Sequence, residues 1–319
     1  MSEATFYQDG CALDYTPVAA VTGGEVIQLA DGRAAVLKVD AAASELTAAS
    51  VEGVYTVDKT ANIVFLDGGR VYWDHSANKA HFKPVNDRDF YIGVAVGDAT
   101  SASTTMKVAL NVEPKYIIDA QRDESATVIV KTVVGSTTVE VPNVITRGGT
   151  TYMTFGTTAE AQKVDLLTVR GFAPGANAIV EGIVNIITNG DAAAVDFNIG
   201  VANGTHATDF DAITEFVALQ VDGGSLNINA QSDDGTTDTA LVDTTVDFAA
   251  GTPFEFWMDF RNPADVQLYI DGVNVLPAST FSVSAATGPL KLIAHLEKTS
   301  DDSPGTFTFS RFAARLAQQ

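Results

Sequence analysis

Residues 195–201 alternate without a break: Val195, Phe197, Ile199 and Val201 fall on one parity, Asp196, Asn198 and Gly200 on the other. A strand sends successive side chains to opposite faces, so such a run has one apolar and one polar face and reads as a half-buried strand. Phe254, Phe256, Met258 and Phe260 repeat the pattern, as do Val266, Leu268 and Ile270, then Leu290, Leu292, Ala294 and Leu296. This rhythm predicts two antiparallel sheets packed face to face. Asp271-Gly272 is a hairpin turn signal, and Thr306–Arg311 reads as a closing strand. Helical spacing is thin. Phe210, Ile213 and Val217 could line one short turn, and a loop fits them equally well.

The front of the chain keeps a shorter beat. Val26–Leu29, Ala35–Val39, Gly53–Val57, Val71–Trp73, Tyr91–Val96 and Met106–Val112 read as six short strands, which suggests a small barrel or sandwich. Residues 1–17 precede them with no partner in that pattern, and Glu113-Pro114 marks a boundary because proline ends a strand. The expected organisation is all-β: an extended N-terminal arm over 1–17, a small β-barrel over 18–114, a connecting β segment over 115–150, and a jelly-roll β-sandwich over 151–319.

Charge narrows the partners. The 319 residues carry a net charge of −21, and residues 1–114 (15 Asp/Glu against 8 Lys/Arg) and 115–319 (25 against 11) are both acidic. That argues against nucleic acid or anionic lipid as an electrostatic partner. The single cysteine, Cys11, allows no intrachain disulfide. No apolar run approaches the ~20 residues of a membrane-spanning helix, and Met1-Ser2-Glu3 does not read as a secretory leader.

Catalytic signals are weak. Glu255, Trp257 and Asp259 share one parity, and two carboxylates flanking an aromatic resemble the catalytic strand of some jelly-roll glycosidases. Four residues along a strand span ~13 Å, whereas glycosidase carboxyl pairs sit ~5 Å or roughly 6.5–9.5 Å apart. No enzyme activity is expected. The same face, with Gln267, Tyr269 and Asp271 on the next strand, could offer Trp257, Asp259 and Tyr269 to a sugar ring; a solvated outer sheet face is the plainer reading. Asp233 and Asp234, and Asp301 and Asp302, lie in oxygen-rich loops that are weak calcium candidates without EF-hand spacing. His75, His81, His206 and His295 show no metal-ligand spacing, and His295 falls on the polar parity of its strand. No phosphate loop, dinucleotide fingerprint or nucleophile elbow is present, so no cofactor is expected.

One resemblance goes further. The run Phe6-Tyr7-Gln8-Asp9-Gly10, then Leu13–Val21 and Gly23–Val26, is followed in order by Val51–Tyr55, Gly69-Arg70-Val71-Tyr72-Trp73-Asp74 and Tyr91-Ile92-Gly93-Val94-Ala95-Val96. Over residues 4–112 this resembles the phage capsid decoration proteins, also called head-stabilising or cement proteins. The resemblance implies a virion protein assembled in the host cytoplasm that sits on the outer capsid surface. It implies binding to the major capsid protein, typically as a homotrimer, with Phe6, Tyr7, Tyr15 and Pro17 covered by capsid or a neighbouring subunit. The rest of the chain is similar in outline to concanavalin-like or laminin-G-like jelly rolls, which carries no functional residue across. The expected function is capsid stabilisation; the alternative is a capsid-displayed carbohydrate-binding module for host-surface glycans.

Overall fold

The computed structural model describes residues 10–120, 129–140, 150–190, 195–207 and 209–317. Among these the secondary structure is all strand, divided between a compact unit ending at Lys115 and another running from Tyr116 to Ala317. Phe6 and Tyr7 lie outside the described residues.

The first unit holds β1 (Ala12–Tyr15), β2 (Val26–Gln28), β3 (Ala34–Leu37), β4 (Thr47–Ser50), β5 (Val54–Asp58), β6 (Arg70–Asp74), β7 (Lys79–His81), β8 (Phe90–Ala95) and β9 (Thr105–Leu110). They form a four-stranded sheet of order β1-β4-β3-β2 and a five-stranded sheet of order β5-β9-β8-β6-β7. The expected barrel is not closed. The five-stranded sheet curls until Lys59, just past β5, meets Ala80 of β7, but the contact is one isolated bridge and not a ladder. Lys59 ends the approach by turning inward, where its ammonium donates to the Thr60 and Ile63 carbonyls. Asn111 stitches the two sheets instead: its side-chain amide exchanges hydrogen bonds with the Ala34 amide and carbonyl and donates to the Val51 carbonyl at 2.7 Å.

The expected free arm is also shorter than 1–17. Ala12–Tyr15 pairs with β4 from Ala12↔Ser50 to Tyr15↔Thr47. Leu13 and Tyr15 pack on a core of Ala35, Leu37, Ala49 and Val51. Pro17 is buried, and its carbonyl accepts the Ser44 amide at 2.8 Å. The reason is parity: Leu13 and Tyr15 are the inward positions of a strand that the Thr-Pro pair then ends. Two pieces of the family-like pattern have backbone reasons. Gly93, at φ 146°, sits where a Cβ would collide with the Ala109 carbonyl oxygen. Asp74 caps the β6–β7 turn by accepting the Ser76 and Ala77 amides and the Ser76 hydroxyl.

The second unit is built from longer strands: β10 (Tyr116–Asp119), β11 (Ile129–Val134), β12 (Thr137–Glu140), β13 (Thr151–Phe155), β14 (Glu160–Phe172), β15 (Ala178–Thr188), β16 (Val195–Ala202), β17 (Glu215–Asp222), β18 (Asn227–Asp234), β19 (Asp238–Asp247), β20 (Phe254–Asp259), β21 (Gln267–Ile270), β22 (Val273–Asn274), β23 (Leu290–Asp301) and β24 (Gly305–Leu316). A front sheet runs β12-β13-β24-β15-β20-β21-β22, with β10 also paired to β24; a back sheet runs β11-β14-β23-β16-β17-β18-β19. This is a jelly-roll sandwich, and β10 to β12 are strands of it, where the sequence suggested a connecting segment. The inward parities of both sheets form one core, in which Phe197 stacks on Phe307 at 4.4 Å and Phe172 meets Phe260 edge-on at 5.3 Å. The last two strands, β23 and β24, each lie in the interior of a different sheet.

A β-bulge in β24 decides what the outer front face carries. The register with β15 slips between Glu181↔Ala313 and Ile183↔Ser310, and Arg311 takes φ 52°. Phe307 and Phe309 face the core before the slip, and Phe312 and Ala314 face it after. One extra residue flips the parity and places Arg311 and Arg315 outward.

Candidate functional site

The outer front face holds the residues expected to stack a sugar. Trp257 lies opposite Tyr269 and Asp259 opposite Gln267, as the alternation predicts. The two rings are tilted at 43° with centroids 6.0 Å apart, but Trp257 is 6% exposed and Tyr269 8% exposed, so neither presents an open ring face. Each polar neighbour is engaged inside the unit. Trp257 Nε1 donates to Glu255 Oε1 at 2.8 Å. Arg261 forks onto Asp259 through two nitrogens, the shorter contact being 2.5 Å. Asp271, in the hairpin turn at φ 47°, accepts the Glu255 amide at 3.1 Å.

The sequence reading missed the partner of Glu255. Glu181 on β15 lies opposite Trp257, one diagonal step from Glu255, which faces Ile183. Glu181 is buried and bound by the Arg315 guanidinium and the Tyr116 hydroxyl. Glu255 has Arg311 only at 3.9 Å, and its Oε2 is buried without a hydrogen bond. Burial raises the Glu255 carboxyl to about 7; Arg311 opposes the rise and the nearby Glu181 adds to it. The signal for Glu181 was the lone charged residue, between Val180 and Gly182, of a mostly apolar strand.

The oxygen-rich loops are occupied by protein donors. Asp234 Oδ1 accepts the Thr236 and Thr237 amides, and Oδ2 accepts the Ser282 hydroxyl and the Ala285 amide. Burial would raise this carboxyl, but those donors outweigh it and hold it below the usual aspartate value. Asp233 accepts the Gly235 amide and Asp301 the Ser303 amide, while Asp302 is exposed. Among the described residues no three acids, histidines or cysteines are grouped to hold a metal ion.

The first unit carries a different surface. Two loops, 17–24 and 38–46, are laced by the Val21–Ala41 bridge and by the Gly23 amide donating to Asp40 at 2.8 Å. They project Val18 (97% exposed), Leu46 (67%) and Val39 (58%) into solvent. Beside them a groove of about 530 Å³ is lined by Gly24, Val26, Thr56, Val57 and Trp73. Of the expected contact residues, Pro17 is buried and Tyr15 is partly buried against the Ala35, Leu37, Ala49 and Val51 core.

Residues 7–110 match the phage cement protein family. The match ends before the second unit begins at Tyr116, and it supports a structural protein of a phage particle. No curated protein matches the chain. Solved structures match parts of the chain at low identity. One comes from work on endo-acting O-glycanases that prominent members of the human gut microbiota express to initiate mucin breakdown (12% identity, TM-score 0.46, 64% of this chain and 100% of that one). Another is the carbohydrate recognition domain of Emp46p in its potassium-bound form (9%, 0.37, 59% and 89%). A third is the carbohydrate-binding module CBM66 of Bacillus subtilis (10%, 0.34, 53% and 92%). At these values the likeness carries no residue and no activity to this chain.

Proposed function

We propose that the protein decorates the outer surface of a phage capsid, with the cement unit seated on the major capsid protein as a homotrimer and the sandwich displayed outward, and that it acts without catalysis. The observation that supports this most directly is the cement match over the unit that projects Val18, Val39 and Leu46 from its loops. Scattered exposed aliphatic side chains are ordinary, but three on two laced loops give a capsid protein an apolar footing. Binding the assembled lattice and not free subunits would stabilise the shell by mass action, about 2.7 kcal/mol per site at a hundredfold excess over Kd.

The test is co-sedimentation with purified capsids. Val18→Asp with Leu46→Asp in the full chain should lose most capsid binding while stability changes by less than about 0.5 kcal/mol, as for exposed sites generally. Unchanged binding would remove this surface from the proposal. The rival reading, glycan binding by the sandwich, has in its favour that Trp257 and Tyr269 do meet across β20 and β21. It requires that Trp257→Ala abolish retention on a glycan array and leave capsid binding intact.

A further inference from the structure

The five-stranded sheet of the first unit stops short of closing, with β5 on one side of the gap. In its ladder with β9, the Leu110 amide donates to the Gly53 carbonyl and the Lys59 amide to the Thr104 carbonyl. Antiparallel pairs alternate between bonded and non-bonded, so Val54 and Thr56 turn their N–H and C=O groups to the open edge. Neither finds a backbone partner there among the described residues. β2, the last strand of the four-stranded sheet, is in the same state. The Leu37 amide on the Glu25 carbonyl and the Leu29 amide on the Arg33 carbonyl leave Val26 facing away from β3. Val26 and Thr56 line one groove, so two unpaired edges border a single space.

That groove continues along β5. Its next part, of about 510 Å³, is lined by Val36, Leu37 and Tyr55, and a hollow of about 490 Å³ lies against Glu52, Gly53 and Val54. Together they follow β5 from Glu52 to Asp58, roughly 20 Å at about 3.3 Å per residue. An ordinary strand has that length.

Sheets blunt an exposed edge with lysine, proline, a bulge or brevity. The other edge of this sheet complies: β7 has 3 residues and carries Lys79. β5 does not. It holds no lysine or proline and pairs with β9 in unbroken register, and its Val54 is 58% exposed. Trp73, which lines the groove, is 6% exposed, and its Nε1–H is buried without a hydrogen-bond acceptor. A buried donor left unmade is destabilising, and an incoming carbonyl would relieve it.

Charge selects the occupant. Glu25, Glu52 and Asp58 stand against Lys38, while Arg33 is held by Asp31 at 2.7 Å. Residues 1–9 of the chain carry Glu3 and Asp9 and no lysine or arginine, so they match the groove poorly, from this copy or another.

We propose that this groove receives an extended segment of the major capsid protein, flanked by lysine or arginine, which adds to β5 as a sixth strand of the sheet. Resting on the capsid reading above, the groove supplies directional main-chain bonds at Val54 and Thr56, and Val18, Val39 and Leu46 supply the apolar footing. One parity of the segment enters against Val57 and Trp73, and its basic flanks meet Glu25 and Asp58.

Fluorescein-labelled peptides of about twelve residues, overlapping across the major capsid protein of the same phage, test this by anisotropy on the full-length protein. One segment with basic residues beside alternating apolar ones should bind. Methylating its alternate backbone amides should weaken binding at least about tenfold. Thr56→Pro removes the outward N–H and leaves the ladder to β9 intact, and should weaken binding about tenfold as well. Trp73→Phe keeps a ring and loses the indole donor, and should weaken it about threefold or more. If the protein pellets with capsids while no capsid peptide binds, or the methylated peptide binds as well as its parent, the groove is not the seat. The inference is then overturned and the capsid reading stands. A peptide of residues 1–9 that binds in place of capsid segments would overturn it equally. If the protein does not pellet with capsids at all, the capsid reading fails and the groove's assignment with it. If Thr56→Pro does not fold, the methylated peptide decides alone.

Discussion

The two outer faces of the sandwich solve one problem with different cations. On the front, Glu181 is neutralised by Arg315, and Arg311 stands near Glu255. On the back, Asp165 and Glu297 close on His295, with Lys163 beside Asp165. A guanidinium keeps its charge at any pH a protein meets, whereas an imidazole gives it up near neutrality. The front network is therefore permanent in its arginines and the back one conditional. Burial of charge alone does not reveal which kind a face has; the identity of the counterion does.

The sharpest way to break the contrast is Arg315→Met. It leaves Glu181 buried with the Tyr116 hydroxyl donating to it and no cation in place of the guanidinium, and should cost the second unit about 3–5 kcal/mol in denaturant unfolding. A loss under about 1 kcal/mol would mean the front pair is dispensable. Next in size is Glu255→Gln. The Glu255 carboxyl is raised from 4.5 to about 7, so its contribution is whole below pH 4.5 and is lost as pH climbs to about 7. Wild type should lose up to about 3 kcal/mol across that window and the glutamine variant should not, read as melting temperature against pH. A parallel loss in both would assign the slope elsewhere.

Asp234→Asn tests a third kind of buried acid, one neutralised by backbone amides. It should cost about 1–3 kcal/mol at neutral pH. Because the Asp234 carboxyl is held below 3.8, its contribution is present above that value and fades only in acid, opposite in sign to Glu255. The smallest expected effect is that of calcium: millimolar ion should leave the melting temperature unmoved. An upward shift would show that the Asp233 and Asp301 loops hold an ion after all.

How much of this was legible in the sequence follows from what is local. Parity is local, so the inward faces of Val195–Val201 and Phe254–Phe260 could be read directly and the jelly roll followed. Partnership is not. Glu181 and Arg315 are separated by most of the unit, and nothing near either names the other. The bulge at Arg311 breaks the parity rule itself, so Phe309 and Phe312 both face inward and no strict alternation could have placed Arg311 outside. At the front of the chain, Ala12–Tyr15 is too short to announce itself as a strand until β4 is beside it. Closure of the barrel depended on whether Lys59 continued a ladder, which no spacing records.

The placement of β23 and β24 inside two different sheets has a consequence for synthesis. Ribosomes deliver residues 290–316 after every other strand described here, yet each sheet needs one of them to join its two halves. Until they emerge, the second unit is four half-sheets with open edges, so a chain interrupted before residue 290 cannot pass as finished.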